Sequence, residues 1–396
     1  MCKKTEPFIT QAVKQHHGQA VALSDDLFAN PEISNQEFRS SQKIVELLRS
    51  AGYTVEYPFA GHETAFCGVI DQGEGPSAAI MVEYDALPGL GHACGHNAHG
   101  AMSVLAALAL ADLREKFSGK LYVIGTPAEE ENGAKVSMAK QGIFDGMSAA
   151  MMIHCACGGI DYSDMDVLSL RCYLVEFTGV SAHAAAGPWE GHSALAAARK
   201  FLDLIDARRE CFTPDIRVNS IITDGGKQPN IIPDRSEIRL EFRADSRGKL
   251  QSLDDMIKKC AQGAALALDC EVQFTEGFEG FDDMVRVPVL EEEVTALLTG
   301  MGENCIPSPP PKGSSDVGNV SYCCPTIQPR ISICDEQYAP HTVEFRDATV
   351  TPSAHKAIAT GGELIASVIY RILTDDAFRT NVHDSYISSR TKKLNS

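Results

Sequence analysis

Apolar residues recur three and four apart over residues 7–29, which predicts a helix. "SNQEFRSSQKIVELLRSAG" predicts a second, with Ser34 as its cap and Gly52 ending it after Arg49 in the last turn. "TAFCGVI" and "SAAIMVEYDA" then read as strands, and "AMSVLAALALADLREKF" as a long apolar helix. "KLYVIGT", "AKVSMAKQGIF" and "AAMMIHC" continue as strand, helix and strand. Continuous apolar strands that alternate with helices predict an α/β fold, a mainly parallel sheet with helices on both faces.

The pattern changes near residue 166. "DVLSLRCYLVEFTG" alternates, a helix follows at "GHSALAAARKFLDLIDARRE", and "IRVNSIITDGG" and "SEIRLEFRADS" alternate again. "KLQSLDDMIKKCAQGAALAL" is helical and "CEVQFTEGFEG" closes the set. This β-α-β-β-α-β order predicts an antiparallel, ferredoxin-like α+β sheet with two helices on one face. "PVLEEEVTALLTGMG" resumes helix, "PSPPPKGSSDVGN" is a loop, "TIQPRISI" a strand, and "HKAIATGGELIASVIYRILTD" a closing helix. The predicted organisation is one domain, 1–167 and 282–396, interrupted by a second at 168–281.

The length of 396 residues agrees with two domains. With 44% hydrophobic and 22% charged residues, the chain has the composition of a soluble globular protein, and its apolar runs suggest no membrane span. The opening "MCKKTEPFITQAVKQHH" has no apolar signal region. Thirteen scattered Cys, an odd number, are therefore expected as reduced thiols in a cytoplasmic protein. A net charge of −18 without a basic block argues against nucleic acid as a partner.

Chemistry collects where the predicted parallel strands end, the place where open α/β sheets build their sites. "IMVEYDA" leads into Cys94 and His96, "LYVIGTPAEEE" ends in Glu129, Glu130 and Glu131, and "AMMIH" ends in His154. Cys94 and His96 share a face only on an extended or looped backbone, which Gly91 and Gly95 favour. The start of the following helix favours a thiolate there. Thiolate, imidazole and carboxylate together suit Zn²⁺, with Mn²⁺ or Co²⁺ as alternatives. Adjacent carboxylates divide the work, one holding metal and one accepting a proton from water. His92 and His99 lack a strand-end placement and are expected outside the ligand set, and Glu131 as a solvated turn residue.

"EYDALPGLGHACGHN", "TPAEEENGAK", "SAHAAAGPWEGHSALAA" and "PHTVEF", in that order along the chain, resemble the M20 family of metallopeptidases and amidohydrolases. The subgroup is the one with aminoacylase-like, auxin-conjugate and aminobenzoyl-glutamate hydrolases, and "SAHAAAGPWEGHSALAA" most resembles its Xaa-Arg or β-alanyl-lysine dipeptidase-like branch. The resemblance implies a two-metal catalytic domain and an inserted lid that forms a homodimer. Cys94, His96, Glu130, His154 and His341 then match the family's ligands to two Zn²⁺ or Mn²⁺ ions, Glu129 its general base, and Asp85 the acid that orients a ligand. Where many members carry a metal-binding His two residues before that Asp, this chain has Glu83, so that ligand is missing. Asn97 stands where the subgroup often has Asp. His183 matches a lid histidine that reaches a neighbouring subunit's site and stabilises the oxyanion. Asn230 in "KQPNIIP", Arg243 in "EFRADS", and Gly313 and Ser314 in "KGSSDVG" are candidate substrate contacts.

The expected chemistry is metal-assisted hydrolysis of an amide in a small substrate. A dipeptide of Xaa-Lys, Xaa-Arg, Xaa-ornithine or β-alanyl type fits the branch, and an N-acyl or aryl amino-acid conjugate is the alternative. A closed structural metal site, a Cys94 nucleophile and a non-catalytic binding protein explain the same residues less well. The set is rich in carboxylate and holds a spare base.

Overall fold

Strand ends and one buried helix place the chemistry-bearing residues. The computed structural model of the protein describes residues 3–394. Two compact units are present: Val167–Asp283 with Lys312–Ser314 form one, and the segments before, between and after them form the other.

In the larger unit β1 (Thr54–Glu56), β2 (Phe66–Gln72), β3 (Ser77–Val82), β4 (Gly119–Gly125) and β5 (Ala149–Met151) join Thr326–Ile327 in one sheet, in the order β1-β2-β4-β3-β5 and then Thr326–Ile327. β3 runs parallel to β4 and β5, and Thr326–Ile327 parallel to β5, while β1 and β2 form an antiparallel edge. β3 is buried from Ala78 to Val82, as the continuous apolar run requires. A second small sheet contains His154–Ala156, paired in parallel with Arg330–Ser332.

The helix His96–Asp112 is buried from His96 to Ala111 and shares one core with Pro7–Ala29 and Pro352–Thr374. Pro352–Thr374 is long and apolar enough to cross a membrane, contrary to the expectation that the chain has no such segment, but 67% of its apolar window is buried inside the protein. Gly100 lets the buried helix lie against the end of β3, since a Cβ there would stand 2.3 Å from the Glu83 carbonyl oxygen. The second helix is Phe38–Ser50, and Ser34 is not its cap: its hydroxyl donates to Asp85 Oδ2 at 2.9 Å. The helix Asp376–Leu394 has a polar sequence and was not anticipated; Phe378, Val382 and Tyr386 anchor it.

The smaller unit has the β-α-β-β-α-β order read from the sequence. Its strands stand as Arg217–Asp224, Arg235–Ala244, Ser169–Thr178 and Glu271–Glu276, antiparallel throughout. Arg235–Ala244 alternates exposure with burial, and its inward Ile238, Leu240 and Phe242 meet the helices Ala194–Arg208 and Arg247–Ala267. Ser193 and Ser246 cap those helices with their side chains.

Candidate metal centre

Five segments of the larger unit converge. Past the end of β3 the chain delivers Glu83 and Asp85, and past β4 it turns through Glu129 and Glu130. Ala128 holds that turn with φ +61, and its N–H is donated to Glu37 Oε1 at 2.9 Å. His154 opens the strand after β5. Cys94 and His96 flank Gly95, whose φ of +87 starts the buried helix; a Cβ there would lie 2.7 Å from Cys155 Cβ. His341 arrives from far down the chain with φ +64, a strained backbone for a residue with a Cβ, and its N–H is donated to the Ala93 carbonyl at 2.9 Å.

The side chains brought together are those at the predicted strand ends, joined by His341, which the resemblance supplied. Cys94, His96 and His154 offer donor atoms within 4.8 Å of one another; so do Cys94, Glu130 and His341, and so do His96, Glu129 and Glu130. Cys94 Sγ is 3.4 Å from His154 Nε2, and Glu130 Oε1 is 3.8 Å from His96 Nε2 and 3.6 Å from His341 Nε2. His96 Nε2 and Glu130 Oε1 are buried without a hydrogen-bond partner. Buried polar atoms are rarely left so, and orphaned donors aimed at one point fit a cation. The outer atoms are in place as well. His96 Nδ1 donates to Asp85 Oδ1 at 2.9 Å, and His154 Nδ1 donates to the Cys155 carbonyl at 2.8 Å, which turns both Nε2 atoms inward.

Electrostatics agree with this. Burial, with Glu130 and Glu129 nearby, pushes the Cys94 thiol well up, so the helix start does not by itself yield a thiolate. Burial also raises the Glu129 carboxyl well above its ordinary range, and the charges of Glu83, Asp316 and Glu130 add to it. A nearby cation favours the charged form of each. His154 is pushed down to about 3 by burial and the neighbouring His99 and His96, which keeps it neutral.

Lys135 and Asp316, which sequence reasoning missed, are buried beside these side chains together with Glu83. Glu83, read as the position of a missing ligand, stands 3.7 Å from His96 Nε2 and accepts from His99 Nε2 at 3.0 Å. Its other oxygen meets Lys135 Nζ at 2.6 Å, and Lys135 Nζ also bonds Asp316 Oδ1 at 2.7 Å. Burial opposes the charges of Lys135 and Glu83, but Lys135 holds Glu83 ionised, and Asp316 and Glu83 hold Lys135 ionised. Asn97 lies in the core, where its amide donates to Ser24 and Thr349. His92 is buried too, and burial pushes it down to about 3.

The remaining candidates lie in the smaller unit. His183 is exposed on Ala182–His183, paired with Ile231, and Asn230 is next to that pairing, its carbonyl accepting the Ala184 N–H at 3.0 Å. Ala185 and Ala186 donate their N–H groups to His183 Nδ1, so Nε2 carries the proton. Arg243 is apart from these two, bonded to Glu241 Oε1 and 3.4 Å from Ser314 Oγ, while Gly313 accepts the Leu168 N–H at 2.8 Å.

Residues 79–367 match peptidase family M20/M25/M40. The chain is 33% identical over 351 residues to the Xaa-Arg dipeptidase of Mus musculus, a match covering 84% of this chain and 80% of that protein. It is 30% identical over 286 residues to a component of the p-aminobenzoyl-glutamate hydrolase of Escherichia coli (strain K12), covering 67% of this chain and 59% of that component. A dinuclear metal-binding peptidase from the M20 family of Bacillus subtilis has a fold that superposes with a TM-score of 0.68 at 19% identity, over 91% of this chain and 99% of that one. The chain belongs to peptidase family M20/M25/M40 and is a hydrolase of this metallopeptidase and amidohydrolase family.

Proposed function

We propose that the chain hydrolyses the peptide bond of small dipeptides with a basic C-terminal residue, Xaa-Arg, Xaa-Lys, Xaa-ornithine or β-alanyl-lysine in type. The observation that carries this choice is the 33% identity, sustained over 80% of its length, to an Xaa-Arg dipeptidase. In this proposal Cys94, His96, Glu130, His154 and His341 hold two divalent cations, Zn²⁺ or Mn²⁺, and the orphaned His96 Nε2 and Glu130 Oε1 support it. Divalent cations supply Lewis acidity, which polarises an amide carbonyl and lets water lose a proton near neutral pH.

The chain's own groups do the rest. Asp85 fixes the His96 ring, and the backbone N–H of Glu130 donates to Asp85 Oδ2 at 3.0 Å, which ties the ligand turn to the same carboxylate. Glu129 takes the proton from the attacking water and passes it to the departing amine as the C–N bond breaks. His183 offers a free Nε2–H, the state required of a group that stabilises an oxyanion. Asn230, Arg243, Gly313 and Ser314 are the proposed substrate contacts. A homodimer through the smaller unit belongs to the same proposal, and the exposed Ile221 and Ile222 on the edge strand Arg217–Asp224 support it.

Hydrolysis of N-acyl or aryl amino acids is the second reading, favoured by the 30% identity to the p-aminobenzoyl-glutamate hydrolase component. A release assay with Mn²⁺ or Zn²⁺ added separates the two. β-Alanyl-lysine and Xaa-Arg, Xaa-Lys and Xaa-ornithine dipeptides are expected to be cleaved in preference to N-acetyl amino acids and aminobenzoyl-glutamate. Cleavage of the acyl conjugates alone contradicts the dipeptide assignment.

A further inference from the structure

We propose that Lys135 is a positioning residue of the hydrolytic site, a built-in cation whose ammonium fills a place among Glu83, Asp316 and Glu129 that would otherwise take a divalent ion. The inference rests on the metal reading above and concerns a group with no part in the chemistry already described. Lys135, Glu83 and Asp316 have side chains 0%, 1% and 0% exposed. Oxygens of Glu83, Glu129 and Asp316 all lie within 4.8 Å of one another, a spacing that suits an ion. A cluster of carboxylates at that spacing attracts a cation.

Lys135 supplies that cation at a defined point. Its Nζ bonds Glu83 Oε1 and Asp316 Oδ1, and its backbone N–H is donated to Asp316 Oδ2 at 3.1 Å, so Asp316 is gripped at both ends. Glu83 Oε2 is taken by His99. Both carboxylates are thereby committed. Glu83 also belongs to a second metal-sized set with His96 and His99, and the ammonium holds its other oxygen, Oε1. Glu129 is the carboxylate of the three left uncommitted, with His96 Nε2 3.9 Å from its Oε2. The ammonium thus occupies the Glu83 and Asp316 end of the cluster, which leaves cations to the Cys94, His96, Glu130, His154 and His341 set and Glu129 to work as a base. A buried ion pair kept for stability alone would be a poor investment, because replacing such pairs with apolar groups is often neutral or stabilising.

The test is the ion content of purified protein equilibrated with Mn²⁺, measured by elemental analysis for the wild type, K135M and K135Q, alongside kcat and KM on a dipeptide that the wild type cleaves. Both variants are expected to carry one ion more per chain than the wild type. Their kcat is expected to fall at least about 10²-fold, with KM little changed, as Glu129 becomes a ligand. A K135M chain that folds only with Mn²⁺ present also supports the proposal, since the ion has then replaced the ammonium. The wild-type ion count in K135Q, or in folded K135M, overturns it. A wild type that binds no divalent ion overturns the metal reading itself, a separate result.

Discussion

Asp85 Oδ1 accepts the Nδ1–H of His96 at 2.9 Å, with both side chains shut off from solvent. The pairing leaves His96 Nε2 as the atom facing Glu130 and Glu129. Asp85 Oδ2 takes the Ser34 hydroxyl and the Glu130 N–H, so one carboxylate orients two proposed ligands. Asp85→Ala is expected to weaken divalent metal binding about 10–100-fold, measured by competition with a fluorescent chelator. Unchanged affinity would remove Asp85 from this role.

Protons compete with metal for these groups. Burial works against a charge on His96, but Asp85, Cys94 and Glu83 together hold its pKa well above the ordinary histidine range. Cys94 is likewise held as a thiol. As proposed ligands both would give up a proton to metal, and a cation nearby would draw one from Glu129 too, so Mn²⁺ binding is expected to release protons and to tighten as pH rises. Calorimetry in buffers of different ionisation enthalpy measures the release, and binding without proton release would contradict it.

In the proposed mechanism Glu129 accepts a proton and Glu130 beside it holds metal. Glu129→Gln is expected to lower kcat about 10²–10⁴-fold while elemental analysis finds the wild-type metal content. Near-normal turnover would sink the assignment of the base.

Glu37 underlies the same turn, taking the Ala128 N–H and the Thr64 hydroxyl at full burial. Burial, with Asp85 adding to it, raises its carboxyl from 4.5 to about 7. The folded protein therefore keeps the proton through a range where the unfolded chain has lost it. The stability that this group contributes is full below pH 4.5 and is lost as pH rises through about 7, roughly 3 kcal/mol in all. Glu37→Gln lacks that loss. In urea unfolding with chelator present, the wild type's stability relative to the variant should decline between pH 4.5 and 8, and a constant difference would contradict the shift.

The residues that were legible in the sequence sit in short strand-end motifs. Strand grammar alone placed Cys94, His96, Glu129, Glu130 and His154 near one another, because parallel strands bring their carboxyl ends to one side of the sheet. His341 rested on the resemblance, since nothing local in "PHTVEF" marks a ligand. The supporting groups were hidden by distance and by burial. Glu37 and Ala128 are 91 positions apart, Lys135 and Asp316 181. A lysine between two apolar neighbours, at "AKV", reads as surface until tertiary packing encloses it. Ser34 has the local pattern of a cap, and Asp85 takes its hydroxyl instead. The helix Asp376–Leu394 escaped notice because its few buried side chains are too sparse to set a period.

The central claim is that two cations sit where Cys94, His96, Glu130, His154 and His341 converge. Anomalous diffraction at the metal edge, from crystals grown with Mn²⁺ or Zn²⁺, measures this directly. Two peaks within bonding distance of those five side chains, with Glu129 free of both, are the predicted result. A single ion closed off by Cys94, His96 and His154, or peaks elsewhere in the protein, would contradict it.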